Sequence, residues 1–151
     1  MSKKSGKHKI KLREGAMAFT VAVLVAGNVS GATLANIFSG SITLKNTTYE
    51  SAAYSAGKGQ QVAHTNSTTC SKTGYVQYTL AKKNILGKYK TQSCEFLKYT
   101  KGKQQYGTCT FKKTASGSYK CVLSTEEQYT TNNGYDSCET ITFKQGYLTM
   151  K

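Results

Sequence analysis

Arginine is almost absent from this sequence of 151 residues. Arg13 is the only one, so the rest of the chain carries its positive charge on lysine alone. Arginine supplies the bidentate contacts that favour specific recognition of phosphate groups and guanine. Its absence after residue 13 argues against a sequence-specific nucleic-acid partner. Lysine alone instead favours a looser, salt-sensitive attraction to anionic partners.

The residues that catalysis usually requires are also scarce. After residue 32 there are one histidine, His64, six carboxylates and no G-x-S-x-G motif. Glycosidases need two carboxylates in one cleft, and histidine-dependent hydrolases need a nucleophile and an acid beside the histidine. Glu126 and Glu127 are expected in a solvated turn, and the other carboxylates are scattered. The sequence therefore predicts a protein that is not an enzyme and that has no cofactor.

None of the five cysteines lies in a C-x-x-C motif. Structural zinc sites usually have two ligands two to four residues apart, so no metal site is predicted. Cys109 and Cys121 are equally far from Ala115, the first residue of the expected turn Ala115–Gly117. Residues that oppose each other in an antiparallel pair have close Cβ atoms, so this spacing predicts a β-hairpin with a disulfide bridge across it.

The remaining three cysteines allow one further bridge. We expect it between Cys94 and Cys138, linking the middle of the chain to its last strand. Cys70 is then left over, either free or joining two molecules in a disulfide-linked dimer.

The start of the chain has the pattern of a secretory signal peptide. A basic stretch is followed by an uncharged apolar run, Ala16–Gly27, and then by small residues. We expect residues 1–32 to be this signal and residues 33–151 to form a single domain. The alternative is an uncleaved membrane anchor formed by residues 16–38. The long basic region is similar to those of Gram-positive bacteria, and export would place the protein outside the cell or at its surface, where disulfides persist.

The rest of the chain is rich in Thr, Tyr, Ser, Gly and Lys and contains neither Pro nor Trp. Several short segments alternate with a period of two; in one of them Val76, Tyr78 and Leu80 share a face. No segment after Ala35 has a sustained helical apolar period. This pattern predicts an all-β fold, a small antiparallel β-sandwich or barrel stapled by disulfides.

Two segments have a weaker strand pattern. The pattern of residues 46–68 predicts a strand followed by a long loop, with a short helical turn at residues 50–55. Lys144–Gly146 predicts a turn that interrupts the last strand.

Positive charge is concentrated in residues 82–120. This segment has ten lysines and one acid, Glu95, a formal charge of +9. Tyrosines are interleaved with the lysines, and a basic, aromatic surface attracts anionic polymers such as wall polymers, or lipid headgroups at a membrane surface. The simpler alternative is that the lysines protect edge strands from aggregation. The candidate binding residues are Lys82, Lys83, Lys88, Tyr89, Lys90, Lys98, Tyr99, Lys101, Lys103, Tyr106, Lys112, Lys113, Tyr119 and Lys120.

Ser51–Thr68 resembles the Tyr- and His-containing segment of the lactococcin 972-like bacteriocins at Tyr54, Ser55, Lys58 and His64. Those proteins are also small, basic, exported β-sandwiches, although their tryptophans have no counterpart here. The sequence thus predicts an exported β domain that binds an anionic partner through residues 82–120. The resemblance implies the alternative, a secreted antimicrobial or toxin-like effector that acts on a target cell envelope.

Overall fold

The computed structural model describes residues 33–151, so the predicted signal segment, residues 1–32, lies outside the described residues. Ten strands and one short helix form in this part of the chain. They are β1 (Thr33–Phe38), β2 (Ile42–Lys45), β3 (Thr48–Glu50), β4 (Tyr54–Ala56), β5 (Gly59–Cys70), β6 (Gly74–Lys83), β7 (Tyr89–Tyr99), β8 (Gln105–Thr114), β9 (Gly117–Ser124), α1 (Glu127–Thr131) and β10 (Thr140–Met150).

The strands form two antiparallel sheets that face each other as a β-sandwich. The first sheet has the order β1-β10-β5-β8, with β2 also paired to β10, and the second has the order β3-β9-β6-β7, with β4 also paired to β9. The predicted all-β class is therefore confirmed, as a sandwich. Within the described residues no helix is long and apolar enough to cross a membrane. Residues 33–38, the end of the alternative anchor segment, form β1 on the edge of the first sheet.

Alternation along β6 separates the core from the surface as predicted. Val76, Tyr78 and Leu80 are fully buried between the sheets, while the residues between them are half-buried on the opposite face. The core also holds a polar cluster in which Thr65 Oγ1 is 2.6 Å from the Tyr78 hydroxyl and 3.1 Å from the Tyr99 hydroxyl. These mutual hydrogen bonds offset the cost of burying three hydroxyl groups.

The predicted hairpin around residues 115–117 is wrong. Cys109 on β8 pairs with Ala63 in the first sheet, whereas Cys121 on β9 pairs with Leu80 in the second. The connection between β8 and β9 therefore passes from one sheet to the other. Both strands turn alternate residues toward the core, and this pattern is the same for a hairpin and for a crossing between sheets. Periodicity alone could not distinguish them.

All five cysteines are free thiols in this structure, so neither predicted disulfide is present. Cys94 and Cys138 lie in different places: the Cys94 thiol is on the outside of the second sheet, where it accepts a hydrogen bond from Gln77, whereas Cys138 is buried in the core. Cys70 is buried as well, so it does not offer a thiol for a bridge between two folded molecules.

The two segments with weak strand patterns are both strands. Residues 46–68 contain β3, β4 and most of β5, which lies between β10 and β8, and no helical turn forms at residues 50–55. The inward side of β5 carries polar residues that the core satisfies: Gln61 bonds to Thr114, for example. An apolar period could not reveal such a strand. Lys144–Gly146 likewise continues β10, with register irregularities in place of a turn.

Candidate functional site

The lysine-rich segment 82–120 does not form one continuous surface. β7 ends the second sheet and β8 ends the first, and the two edge strands contact each other along one side of the sandwich. Lys90 and Lys98 on β7 and Lys112 and Lys113 on β8 therefore lie on this side, which we call the basic side. The loop lysines between β7 and β8 are exposed at its end.

Most of these lysines have no acidic partner. Of the ten in residues 82–120, only Lys120 is within ion-pair distance of a carboxylate in the described part of the chain, with its Nζ 3.7 Å from Glu50. Lys112 and Lys113 also line an open cleft of about 680 Å³ together with Lys58 and Lys151. The basic side therefore presents net positive charge to solvent.

Two tyrosines predicted to bind a partner do not belong to the surface. Tyr99 and Tyr119 are each 1 % exposed and pack between the sheets. Tyr89 is half-buried on the outer face of the second sheet, and Tyr106 is 80 % exposed at the start of β8. The sequence could not distinguish the buried tyrosines from the exposed ones. Successive residues of a strand point to opposite faces, and the sequence did not show which face of each strand is buried.

An aromatic cluster lies at one end of the outer face of the second sheet. The ring of Tyr135 stacks on Phe96, with centroids 4.4 Å apart and an interplanar angle of 21°. It also contacts Tyr75, with centroids 4.6 Å apart. The segment that carries Tyr135 is held beside β6, because the backbone N–H of Tyr75 donates to the Asp136 carbonyl and that of Cys138 donates to the Tyr75 carbonyl. Tyr135 is thus a fixed part of this face although it lies outside the sheet.

A second aromatic and charged group lies at the other end of the same face. Lys120 Nζ is 4.8 Å from the centroid of the Tyr89 ring, within the range of a cation–π contact. The same ammonium pairs with Glu50. The Tyr89 hydroxyl shares a 2.8 Å hydrogen bond with Ser118. These contacts hold the ring and the charge in place.

Shorter side chains lie between the two aromatic groups. They are Gln77, Thr79, Ala81, Cys94 and Val122, which register places on the same face. Gln77 Nε2 donates to Cys94 Sγ at 2.8 Å. Tyr75 and Lys83, the strand partner of Tyr89, are eight positions apart along β6, a span of about 26 Å.

The result is an elongated strip of shorter side chains, of which Gln77 and Thr79 are polar, with aromatic rings at both ends. We call it the outer-face trough, and its members are Tyr75, Gln77, Thr79, Ala81, Tyr89, Cys94, Phe96, Lys120, Val122 and Tyr135. The sequence predicted two of these, Tyr89 and Lys120. Alternation along β6 could have identified Tyr75 and Gln77 as outward-facing, but no local signal connects Tyr135 with them.

His64 lies on the opposite side of the sandwich, on the outer face of the first sheet. Its ring stacks on that of Tyr147 with centroids 4.8 Å apart, and its Nε2 is 3.1 Å from the Thr149 hydroxyl oxygen. Burial lowers the pKa of His64 below its usual value. Within residues 33–151 there is no cluster of three or more His, Cys, Asp or Glu side chains able to hold a metal ion.

The four residues that resemble the bacteriocins are distributed over both sheets. Tyr54 and Ser55 are on β4, His64 is on β5, and Lys58 lies between these strands. The Tyr54 hydroxyl donates to Gln61 at 2.7 Å, so its role in this structure is to join β4 to β5. The bacteriocin alternative stays a prediction.

Glu126, expected in a solvated turn, is buried instead. Its carboxylate accepts hydrogen bonds from Thr48 Oγ1 at 2.7 Å and from Gln128 Nε2 at 2.7 Å. It precedes α1 and ties this helix to β3 of the second sheet, so its observed role is structural.

No protein-family model matches the sequence, and no curated protein matches it. Among solved structures the chain is similar to one described as "CBM4 structure and function", a carbohydrate-binding module, with a TM-score of 0.51 and 11 % identity over 82 % of this chain and 81 % of that chain. It also aligns, with a TM-score of 0.48 and 8 % identity over 82 % of its length, with a quarter (25 %) of a Clostridium thermocellum endo-1,4-beta-D-xylanase 10B structure with CBM22-1 and GH10 modules, complexed with xylohexaose. The first similarity shows that this chain has the sandwich fold of a carbohydrate-binding module.

Proposed function

We propose that the chain is an exported, non-enzymatic β domain that binds a polysaccharide in the outer-face trough. The observation that carries this proposal is the pair of aromatic groups at the two ends of a strip of short side chains about 26 Å long, which includes the polar Gln77 and Thr79. Sugar rings have apolar faces that pack on aromatic rings and hydroxyls that bond to amides and other hydroxyls. An elongated trough suits an extended chain better than a compact ligand.

The residues of the trough have distinct roles in this proposal. Tyr135 offers the most accessible ring, and Tyr75 and Phe96 hold it in place from below. Gln77 and Thr79 supply hydrogen-bonding groups on the floor. Because the rings are already packed, little side-chain freedom is lost on binding.

The charge favours a polysaccharide that carries acidic groups. Lys98 lies directly opposite Tyr75 on the neighbouring strand, at the junction of the trough and the basic side. Carboxylate or phosphate groups on the polymer would be attracted to the ammonium groups of Lys98 and Lys120, and few protein carboxylates lie nearby to repel them. The fold supports the non-enzymatic part of the proposal, since a solved structure that shares it is a binding module.

Affinity electrophoresis of the full chain through gels that contain acidic or neutral polysaccharides tests the proposal. We expect retardation by an acidic polymer and about tenfold weaker binding for Tyr135→Ala, which removes the accessible ring. Tyr129→Ala is the matched control, because Tyr129 is an exposed tyrosine on α1 whose ring is not one of those stacked in the cluster. Equal retardation of the two variants, or no retardation of the wild type by any polysaccharide, would overturn the proposal.

A further inference from the structure

The turn between β6 and β7 displays two adjacent aliphatic side chains to solvent. Ile85 is fully exposed and Leu86 is 76 % exposed. The other large hydrophobic residues exposed in residues 33–151 are tyrosines, whose hydroxyls water can solvate. Single exposed aliphatic residues are ordinary, but two together at the tip of a hairpin form a small apolar surface that needs an explanation.

Hydrogen bonds fix the backbone of the turn that carries this pair. Asn84 Oδ1 accepts hydrogen bonds from the backbone N–H groups of Leu86 and Lys88, at 3.0 and 2.9 Å. The backbone N–H of Asn84 donates to the Lys88 carbonyl at 2.8 Å, and Gly87 adopts a left-handed φ of 78° that closes the turn. The aliphatic tip is therefore already ordered before any partner binds.

Lysines surround the tip on both strands. They are Lys82, Lys83, Lys88 and Lys90, and no acid occurs between Ala81 and Cys94. Lys82 and Lys90 are direct cross-strand partners, a like-charge pairing that destabilises a free sheet. None of the four is in an ion pair with a described residue. An anionic partner would relieve this repulsion.

We propose that this hairpin tip, Lys82–Lys90, docks the domain onto a membrane that contains anionic lipid. Ile85 and Leu86 enter the boundary between headgroups and acyl chains, and the lysines contact lipid phosphates at the level of the headgroups. A lipid surface is the partner that offers both an apolar layer for two aliphatic side chains and a plane of negative charge around it. Tyr89 belongs to both the tip and the trough, but Ile85 and Leu86 are not members of the trough, so docking through them is a function beyond polysaccharide binding.

The absence of tryptophan from the chain provides a clean reporter. Ile85→Trp in the full chain places a single tryptophan at the tip, and Tyr106→Trp places one at an exposed site on the first sheet as a control. With vesicles of phosphatidylcholine and phosphatidylglycerol we expect a blue shift of the emission of the Ile85→Trp variant and no shift for the control. An unshifted emission at position 85 would refute insertion of the tip.

Sedimentation with the same vesicles measures the binding itself. The double variant Ile85→Ser/Leu86→Ser should bind at least about tenfold more weakly than the wild type. Lys83→Gln/Lys88→Gln should lose the preference for phosphatidylglycerol over pure phosphatidylcholine. Tyr135→Ala should bind vesicles normally, which separates this proposal from the trough. Unchanged sedimentation of the serine variant would contradict the proposal, and since both positions are exposed, circular dichroism should show all variants folded.

Discussion

The ring of Tyr135 is stacked on that of Phe96, although the two residues are 39 positions apart in the sequence and belong to different elements. Phe96 is part of β7, whereas Tyr135 follows α1 in the segment that leads to β10. The parallel bridge between Tyr75 and Ser137 brings that segment against β6. The aromatic end of the trough therefore depends on a connection outside the sheet.

This stacking should be measurable as an energetic coupling. Aromatic pairs contribute about 0.5–1.5 kcal/mol beyond the area they bury. In a double-mutant cycle of Phe96→Leu and Tyr135→Leu, we expect a coupling of about 1 kcal/mol in the free energy of unfolding by urea. Tyr129→Leu with Phe96→Leu is the control pair and should be additive. A coupling near zero for Phe96 and Tyr135 would mean that the rings do not stack in solution.

Lys98 should contribute to affinity for an acidic polymer through charge alone. It is exposed and lies opposite Tyr75 at the rim of the trough. We expect Lys98→Gln to weaken binding of an acidic polysaccharide by about two- to fivefold at low salt, and less at high salt because the charge is screened. Isothermal titration calorimetry at two salt concentrations measures this, with the exposed Lys144→Gln on the first sheet as the control. An equal loss at both concentrations would contradict the electrostatic role.

The five thiols should react at very different rates. Burial raises the pKa of Cys109 and of Cys138 to about 12, and it also raises the pKa of Cys121, so these three thiols stay protonated at neutral pH. Cys94 lies half-buried on the outer face.

We expect iodoacetamide to label Cys94 first in the folded full chain and to label the others only after denaturation. Mass spectrometry of tryptic peptides identifies the labelled sites, and Cys94→Ser should remove the fast phase. Fast labelling of Cys109 in the folded chain would show that the core is more open than this structure.

His64 should make stability depend on pH. Its pKa is lowered by burial, so the neutral ring is favoured in the folded state. Its contribution to stability is fully present above the pKa of histidine in the unfolded state, which is about 6.5. As the pH falls below that value, the unfolded state takes up the proton first and stability is lost. Urea denaturation between neutral and mildly acidic pH should show a steeper loss for the wild type than for His64→Gln. The same dependence of stability on pH in the two proteins would contradict this role of His64.

The core of the fold could be predicted from the sequence because β6 alternates cleanly, and Val76, Tyr78 and Leu80 are buried as that pattern requires. β5 could not be predicted, since polar residues such as Gln61 and Thr65 occupy its inward side and are satisfied by partners far along the chain. Apolar periodicity does not report such burial.

The candidate site was less predictable than the fold. Lysine density identified the basic side, but it also included Tyr99 and Tyr119, which are core residues. Tyr135 was missed because its place beside Tyr75 depends on backbone pairing that leaves no pattern in the nearby sequence. The symmetry of Cys109 and Cys121 was misleading for a related reason: which sheet a strand joins is decided by the whole fold.

Nuclear magnetic resonance mapping with an acidic oligosaccharide tests directly whether the outer-face trough binds a polysaccharide. The amide signals of the full chain are recorded during a titration with the sugar. We expect the largest shifts at Gln77, Phe96 and Tyr135, along the outer-face trough, and small changes at His64 and Tyr147 on the opposite sheet. Shifts confined to the opposite sheet, or no saturable shifts with any oligosaccharide, would contradict it.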